Sequence, residues 1–280
     1  PLTAVTNTQL LMQNKTDANV FVADASRVLK LYGNTVSSTT QRKFSTASSV
    51  YFDGTGDYIQ VPYSPTLLPD EGDFTIEFWF YTPDATNRQD PYSIYTGTTG
   101  IGIILSYSSA GTVATYHGNT VTQQSSGGQF SANTWHHLAV SRSGTTQKIF
   151  IDGTEIKSDT VNTDYDGTTQ LHIGNAANNS LFYEGYIRDV RFVKGSSVYG
   201  GNFTPPTEPL TAITNTQLLT CNLPYFGDAS TNNRAPTVNG TSFTEPFSPY
   251  NYEPWNSTDF IGSVYVPCLL YTSPSPRDGT

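Results

Sequence analysis

An all-β fold, a sandwich or barrel built from short antiparallel strands, is what this sequence predicts, and three observations predict it. Apolar residues recur with a period of two rather than 3.6. Gly, Asn and Ser punctuate the chain between short apolar runs, and Asp152-Gly153 between two such runs is the strongest hairpin signal, because Gly tolerates the positive φ of a type I′ turn. Finally, Asp, Glu, Lys and Arg make up only 13% of the 280 residues, too few to solvate exposed helical faces.

The elements follow in order. Strands are expected at Thr8–Met12, Val28–Tyr32, Val50–Phe52 and Tyr58–Val61. The clearest alternation is Phe74–Tyr81: Phe74, Ile76, Phe78 and Phe80 face one side, Trp79 and Tyr81 the other. Both faces are apolar enough for a strand lying between two covering layers. Residues 82–100 read as a loop region, followed by strands at Gly102–Tyr107 and Val113–His117. Trp135–Ser141 alternates again, and Lys148–Ile151 runs into the Asp-Gly turn. Leu171–Ile173 and Gly185–Val193 complete the set, and no stretch of ten residues has a convincing helical stripe.

The bulk chemistry excludes several functions. A net charge of −9 and a pI near 4.7 leave no basic surface for nucleic acid. Two cysteines, Cys221 and Cys268, make neither a disulfide framework nor a zinc-type spacing. No apolar run approaches the ~20 residues that span a bilayer, so no membrane insertion is expected. Beginning at Pro1 without Met, the chain reads as a piece of a longer polypeptide.

The chain also repeats itself. Pro1–Leu11 recurs as Pro209–Leu219, an offset of 208 residues, with Val5 replaced by Ile213 as the one change. Asp24-Ala25-Ser26 returns as Asp228-Ala229-Ser230, and Ser49-Val50-Tyr51 as Ser263-Val264-Tyr265. The expected organisation is therefore a sandwich over residues 1–208 and the truncated start of a second copy over 209–267. Residues 268–280 resemble a translated sequencing-library adapter. The second copy lacks counterparts of Phe74–Tyr81, Trp135–Ser141 and Gly185–Val193, so it should be irregular or rest on the first sandwich.

Four segments carry a family resemblance: Val50–Ile59, Phe74–Trp79, Trp135–Val140 with Ile151–Gly153, and Gly185–Arg191. In order and spacing they resemble the laminin G-like branch of the concanavalin A-like lectin/glucanase superfamily. That resemblance implies a jelly roll of two antiparallel sheets. The spacer Gly201–Leu210 and the Asn-Thr-Gln-Leu-Leu that follows are similar to repeats in virion structural proteins of tailed phages.

Candidate sites follow from residues and resemblance together. Asp53-Gly-Thr-Gly-Asp57 places two carboxylates around a flexible turn, a donor set suited to a hard cation such as structural Ca²⁺, although Asp is also ordinary turn chemistry. The resemblance adds Asp189 as a third ligand. Tyr92, Tyr95, Tyr107 and Tyr116 are candidates for stacking on sugars. Glu71, Asp73 and Glu77 resemble the carboxylate run of the superfamily's glucanases, but the run is one residue too long and its first two members precede the strand. His136 and His137 are adjacent, so on a strand they point to opposite faces and cannot share a metal. The expected function is a non-enzymatic module binding carbohydrates or glycoproteins within a multidomain fibre or adhesive protein. The alternatives are a purely structural virion or surface-layer component contacting neighbouring copies of the module, and, less favoured, a glycoside hydrolase. Either of the first two belongs outside the cell or on a virion surface.

Overall fold

A computed structural model of the chain describes residues 12–14, 20–22, 30–32, 36–38, 49–222, 227–232 and 234. The chain divides into two compact units, residues 25–247 and a smaller unit of residues 1–24 with 248–280. In the smaller unit β1 (Met12–Asn14) pairs antiparallel with β2 (Val20–Val22). Most of the strand expected at Thr8–Met12, and residues 235–280, lie outside the described residues.

The larger unit is all-β. Its strands are β3 (Lys30–Tyr32), β4 (Val36–Ser38), β5 (Ser49–Asp53), β6 (Tyr58–Val61), β7 (Phe74–Tyr81), β8 (Gln89–Thr96) and β9 (Thr99–Leu105). Then come β10 (Val113–His117), β11 (Thr120–Gln124), β12 (Trp135–Ser143), β13 (Thr146–Ile151), β14 (Thr154–Thr160), β15 (Leu171–Ile173), β16 (Glu184–Lys194) and β17 (Thr216–Thr220). A 3-10 turn at Pro65–Leu67 is the one helical element among the described residues.

Two antiparallel sheets form, as expected for a jelly roll. One runs β11-β10-β9-β8-β15-β6-β3, the other β14-β13-β12-β7-β16-β5-β4, with β17 added alongside β16. Phe74, Ile76, Phe78 and Phe80 all lie in the core between the sheets, at most 1% exposed. They meet Leu138, Val140, Ile149 and Phe192 of their own sheet and Ile101, Ile103 and Ile173 of the other. Alternation alone places them there, since one slip in register would turn all four outward.

The Asp152-Gly153 hairpin forms between β13 and β14, with both residues at positive φ (49° and 76°) as a type I′ turn requires. Gly153 has a second duty. A Cβ there would lie 1.9 Å from the carbonyl oxygen of Phe203, so the segment crossing the sheet at this point passes only because Gly has none. That segment, residues 196–210, straps the outer face of β7, β12 and β13. Val198 N–H donates to Thr75 Oγ1 (2.8 Å) and Phe203 N–H to the Gly153 carbonyl (2.9 Å).

Two departures from expectation matter. Residues 82–100 are not a loop, because β8 runs through them. Its alternation is hidden by Pro91, which sits where the β8–β9 register shifts between Gln89 and Tyr92; a bulge tolerates a residue without an N–H. The fold also does not end at residue 208. Strand β17 pairs with Val190–Val193 and buries Leu218 (0% exposed), Leu219 and Cys221.

Candidate functional site

Two cross-strand registers build an aromatic surface on the outer face of the strapped sheet. Trp135 of β12 lies opposite Tyr81 of β7, Tyr81 opposite Tyr186 of β16, and Tyr186 opposite Tyr51 of β5. Their ring centroids are 5.8, 5.9 and 4.9 Å apart in that order, a continuous row across four strands. All four rings are half-buried, so part of each reaches solvent. Directly opposite residues on one face have Cβ atoms close enough for such contacts, and the sheet fixes their spacing.

Beside the row lies a groove of about 480 Å³ lined by Trp79, Trp135, Asp152 and residues 204–207 of the strap. Trp79 is buried beneath the strap, while Trp135 forms the groove's open wall. The indole nitrogen of Trp135 is itself buried and has no hydrogen-bond partner among the described residues. Asp152 is exposed at the rim. Burial would raise its carboxyl, but the His136 ring (2.7 Å) and the His137 N–H (2.8 Å) outweigh burial and hold it below its usual value. The groove thus combines two indoles, a fixed carboxylate and two prolines.

The two histidines diverge, as adjacency on a strand requires. His136 packs on Phe80 and Phe130, whereas His137 lies on the outer face beside Trp79 and Phe203. His137 Nε2 is 3.2 Å from Glu77 Oε2, which also accepts from Tyr199 Oη at 2.7 Å. Glu77 Oε1 accepts from Arg191 Nε (2.8 Å) and Nη2 (2.6 Å). Burial penalises the Glu77 carboxylate, but the His137 hydrogen bond and the Arg191 charge prevail and its pKa is lowered. With no exposed surface, Glu77 ties the strap to the sheet and offers a substrate no access. Glu71 is exposed, and Asp73 accepts from the Gly144 N–H (2.7 Å), so the three do not make an acid/base pair.

The expected tyrosine site is redistributed. Tyr92 points inward from β8, is 1% exposed in the main core, and has no ring face for a ligand. Tyr95, Tyr107 and Tyr116 do gather, on the outer face of the other sheet, but residues 176–181 cover them. Tyr95 and Tyr116 pack edge to face at 4.8 Å. Tyr116 lies where a Cβ on Gly102 would stand, and its hydroxyl donates to Asp90 Oδ2 (2.8 Å). Tyr107 is half-buried with the Arg88 guanidinium 4.9 Å from its ring centre. The reason is the missed strand: once 89–96 is β8, its tyrosines alternate between core and outer sheet face.

The three aspartates do not converge either. Asp53 and Asp57 share one turn, which they stabilise themselves: Asp57 Oδ2 accepts from the Asp53 N–H (3.1 Å) and Asp53 Oδ1 from the Thr55 N–H (2.7 Å). Across the sheet, Asp53 faces Glu184, not Asp189. Asp189 is five residues further along β16, about 16 Å of strand, and it sits within a register shift at positive φ. Its Oδ2 lies 3.3 Å from Arg188 Nε and accepts from the Leu210 N–H (3.3 Å). Among the described residues no three His, Cys, Asp or Glu side chains are placed to hold one ion, so the expected calcium site is not assembled from these residues.

The aromatic row and its groove escape the sequence reading because their members lie far apart in the chain. The available signal is that Trp79 and Tyr81 occupy the non-core positions of the most strongly alternating strand. Among the described residues no helix is long and apolar enough to cross a membrane.

Solved structures to which this chain is similar include a putative carbohydrate binding protein from Bacteroides ovatus, at 12% identity and TM-score 0.49, covering 61% of this chain and 50% of that one. A botulinum neurotoxin type C structure, described with two ganglioside molecules, matches at 13% identity and TM-score 0.47, covering 68% and 48%. Domain 4 of an extracellular GH43 arabinanase from Geobacillus stearothermophilus, in complex with arabinotriose, matches at 17% identity and TM-score 0.40, covering 60% and 76%. The match thus spans about half the length of the first two of these chains. No curated protein sequence matches. Residues 53–196, about half of the chain, match the laminin G-like family model described as concanavalin A-like lectin/glucanases superfamily, and the chain belongs to that family.

Proposed function

We propose that this chain is a non-enzymatic binding module for carbohydrates or glycoproteins, part of a larger extracellular or virion-surface fibre or adhesive protein, with the row Trp135, Tyr81, Tyr186, Tyr51 as its sugar-facing surface. The observation that carries this reading is four half-exposed aromatic rings in one register line beside a groove lined by Trp79, Trp135 and the Asp152 carboxylate. Pyranose rings present apolar C–H faces and hydroxyls together. A rigid aromatic platform flanked by the exposed Asp152 carboxylate complements both. The glucanase-like carboxylates are absent from this surface, which favours binding over hydrolysis.

A glycan array on the full chain identifies the ligand class, and titration with tryptophan fluorescence measures it. Tyr81→Ala and Tyr186→Ala should each weaken binding by roughly tenfold, the worth of one stacked ring at ~1–1.5 kcal/mol. Tyr95→Ala, on the covered face of the other sheet, should leave affinity unchanged in folded protein. Binding that survives loss of both Tyr81 and Tyr186 would move the site elsewhere. Silence across the array would favour the second reading, a structural component contacting only other copies.

A further inference from the structure

The aromatic row is bracketed by acid at both ends. At the Trp135 end stands Asp152, on the turn after β13 and on the rim of the same groove. Its side chain is 44% exposed. The His136 ring (2.7 Å) and the His137 N–H (2.8 Å) orient its two oxygens, and each oxygen keeps a lone pair for a further donor. At the other end, the register that sets Tyr186 opposite Tyr51 also sets Glu184 opposite Asp53. Residues two apart on a strand share a face, so both carboxylates stand on the surface that carries the rings. Glu184 is exposed, and its carboxylate makes no hydrogen bond or ion pair with a described residue. Like charges directly opposite across a sheet work against the pairing. Their field reaches Tyr51: burial raises its hydroxyl above the ordinary value, Tyr186 adds to the rise, and so do Asp53, Glu184 and Asp57.

Positive charge is withheld from the same surface. Arg188, two residues on from Tyr186, shares the face but is 1% exposed, with its Nε 3.3 Å from Asp189 Oδ2. Lys148, near the strap, is tied to Glu155 (2.8 Å) and to the Gly200 carbonyl (2.9 Å). Aromatic rings present negative π faces, and carboxylates beside them deepen the same potential. A neutral sugar would use the rings and leave the carboxylates unanswered, and an acidic one would be repelled. We infer that the glycan taken by this row carries free amino groups: a glucosamine-type oligomer whose ammonium groups meet Asp152 at one end and Glu184 at the other. The inference rests on the row being the sugar-facing surface, and it names the charge of the ligand, which that reading leaves open.

Size and topology narrow the occupant. Four neighbouring strands at ~4.8 Å spacing put the two ends of the row about 14 Å apart, so one amine cannot serve both and the ligand needs amines on separate rings. A lysine-rich peptide offers the same charge with a poorer fit. The row lies on β12, β7, β16 and β5, all of them interior to the sheet order, so no strand edge is open beside it to pair with a peptide backbone. Long basic side chains also lose more conformational freedom on a flat face than a pyranose chain does.

Two tetrasaccharides that differ only in charge test this on the full chain: a glucosamine tetramer with free amines and its fully N-acetylated counterpart. Both are titrated by tryptophan fluorescence at about pH 6, below the ordinary range of an amine. The free-amine tetramer should bind about tenfold tighter, since exposed ion pairs and cation–π contacts are each worth a few-fold. Glu184→Gln and Asp152→Asn should each remove about threefold of that preference and leave the N-acetylated tetramer's affinity where it was. Added salt should shrink the preference in wild type. Should Asp152→Asn fail to fold, Glu184→Gln, at an exposed position, carries the comparison alone. Equal or tighter binding of the N-acetylated tetramer, still lost in Tyr81→Ala, overturns the inference and keeps the sugar-binding row. A preference for the amine that the acid variants leave intact overturns it too. Oligolysine that displaces the tetramer and binds more tightly overturns it in favour of a basic peptide. Silence toward both tetramers also overturns it, and the glycan array then decides separately whether the row binds sugar at all.

Discussion

Replacing Glu77 by Leu should cost about 3–5 kcal/mol, the usual consequence of removing one partner from a buried ion pair. The structure supports that range. Glu77 has no exposed surface, and its two oxygens receive Arg191 Nε and Nη2 at 2.8 and 2.6 Å, Tyr199 Oη at 2.7 Å and His137 Nε2 at 3.2 Å. Without the carboxylate, the Arg191 guanidinium loses its charge partner, keeping the Thr211 carbonyl (2.9 Å) and the Tyr199 side chain, and stays in a site where its side chain is 6% exposed. For a unit of this size each kcal/mol is about 2–4 °C, so melting should fall by roughly 6–20 °C in circular dichroism. The double variant Glu77→Leu/Arg191→Met removes both charges and should recover most of that loss, because an apolar pair of similar volume replaces a desolvated ionic one. Glu77→Gln keeps the shape and one acceptor and should fall between. Because the Glu77 pKa is lowered in the fold, its contribution is present above the unfolded value and disappears as pH falls through the folded one. A Glu77→Leu loss below about 1 kcal/mol, or no recovery in the double variant, would refute the account of this network as the anchor of the strap.

Three further outcomes are expected. Burial raises the Asp90 carboxyl from 3.8 to about 7, against the weaker pull of the Tyr116 hydroxyl and the Arg88 charge, so the folded state holds a proton that the unfolded state releases. Stability should therefore fall as pH rises from about 4 to 7, by up to ~4 kcal/mol, and the melting-temperature advantage of Asp90→Asn over wild type should grow across that window; a constant difference would show that Asp90 does not titrate there. Gly153→Ala puts a Cβ 1.9 Å from the Phe203 carbonyl oxygen at φ 76°, and urea titration should find at least about 1–2 kcal/mol lost together with a changed tryptophan emission from the displaced strap. A chelator should leave the melting temperature of the full chain unchanged, since Asp53, Asp57 and Asp189 do not converge; a fall reversed by Ca²⁺ would restore the cation to the picture.

The sequence discloses what depends on local alternation. Tyr58–Val61, Val113–His117 and Leu171–Ile173 are placed to the residue, and the inward set Phe74, Ile76, Phe78, Phe80 is identified because period two leaves no other arrangement. It conceals what depends on register between distant strands. The bulge at Pro91 breaks the pattern of β8, and the β5–β16 register sets Glu184, not Asp189, opposite Asp53, with Asp189 five residues further along the strand. Trp79 and Trp135 share a groove only because Trp135 pairs with Tyr81. The repeat, too, supplies a period without a phase. An offset of 208 residues fits a module cut anywhere, and only the pairing of β17 with β16 shows that the structural unit extends beyond Pro209.

The outer face of the strapped sheet divides into a covered part and an open part, and the division bears on function. At the Glu77 and His137 positions the strap lays Tyr199 and Phe203, stacked at 3.7 Å, over a face that carries Trp79 and Phe150. The next register line, Trp135-Tyr81-Tyr186-Tyr51, is as rich in aromatic surface, yet the strap passes it only at its edge, through Pro205 and Pro206. Half-exposed rings forfeit part of the ~25 cal/mol per Å² that full burial would return, and four of them side by side form a patch of the kind monomers seldom leave open without a use. Polar residues at these four positions would keep the pleat and its hydrogen bonds while removing that liability. The aromatic row is therefore better explained by what it meets in solution than by what it contributes to folding, and Tyr81→Thr with Tyr186→Thr separates the two. Threonine suits an exposed strand position, so this pair should leave the melting temperature within about 3 °C while abolishing sugar-dependent fluorescence change. A large loss of stability with binding retained would make the row part of the scaffold.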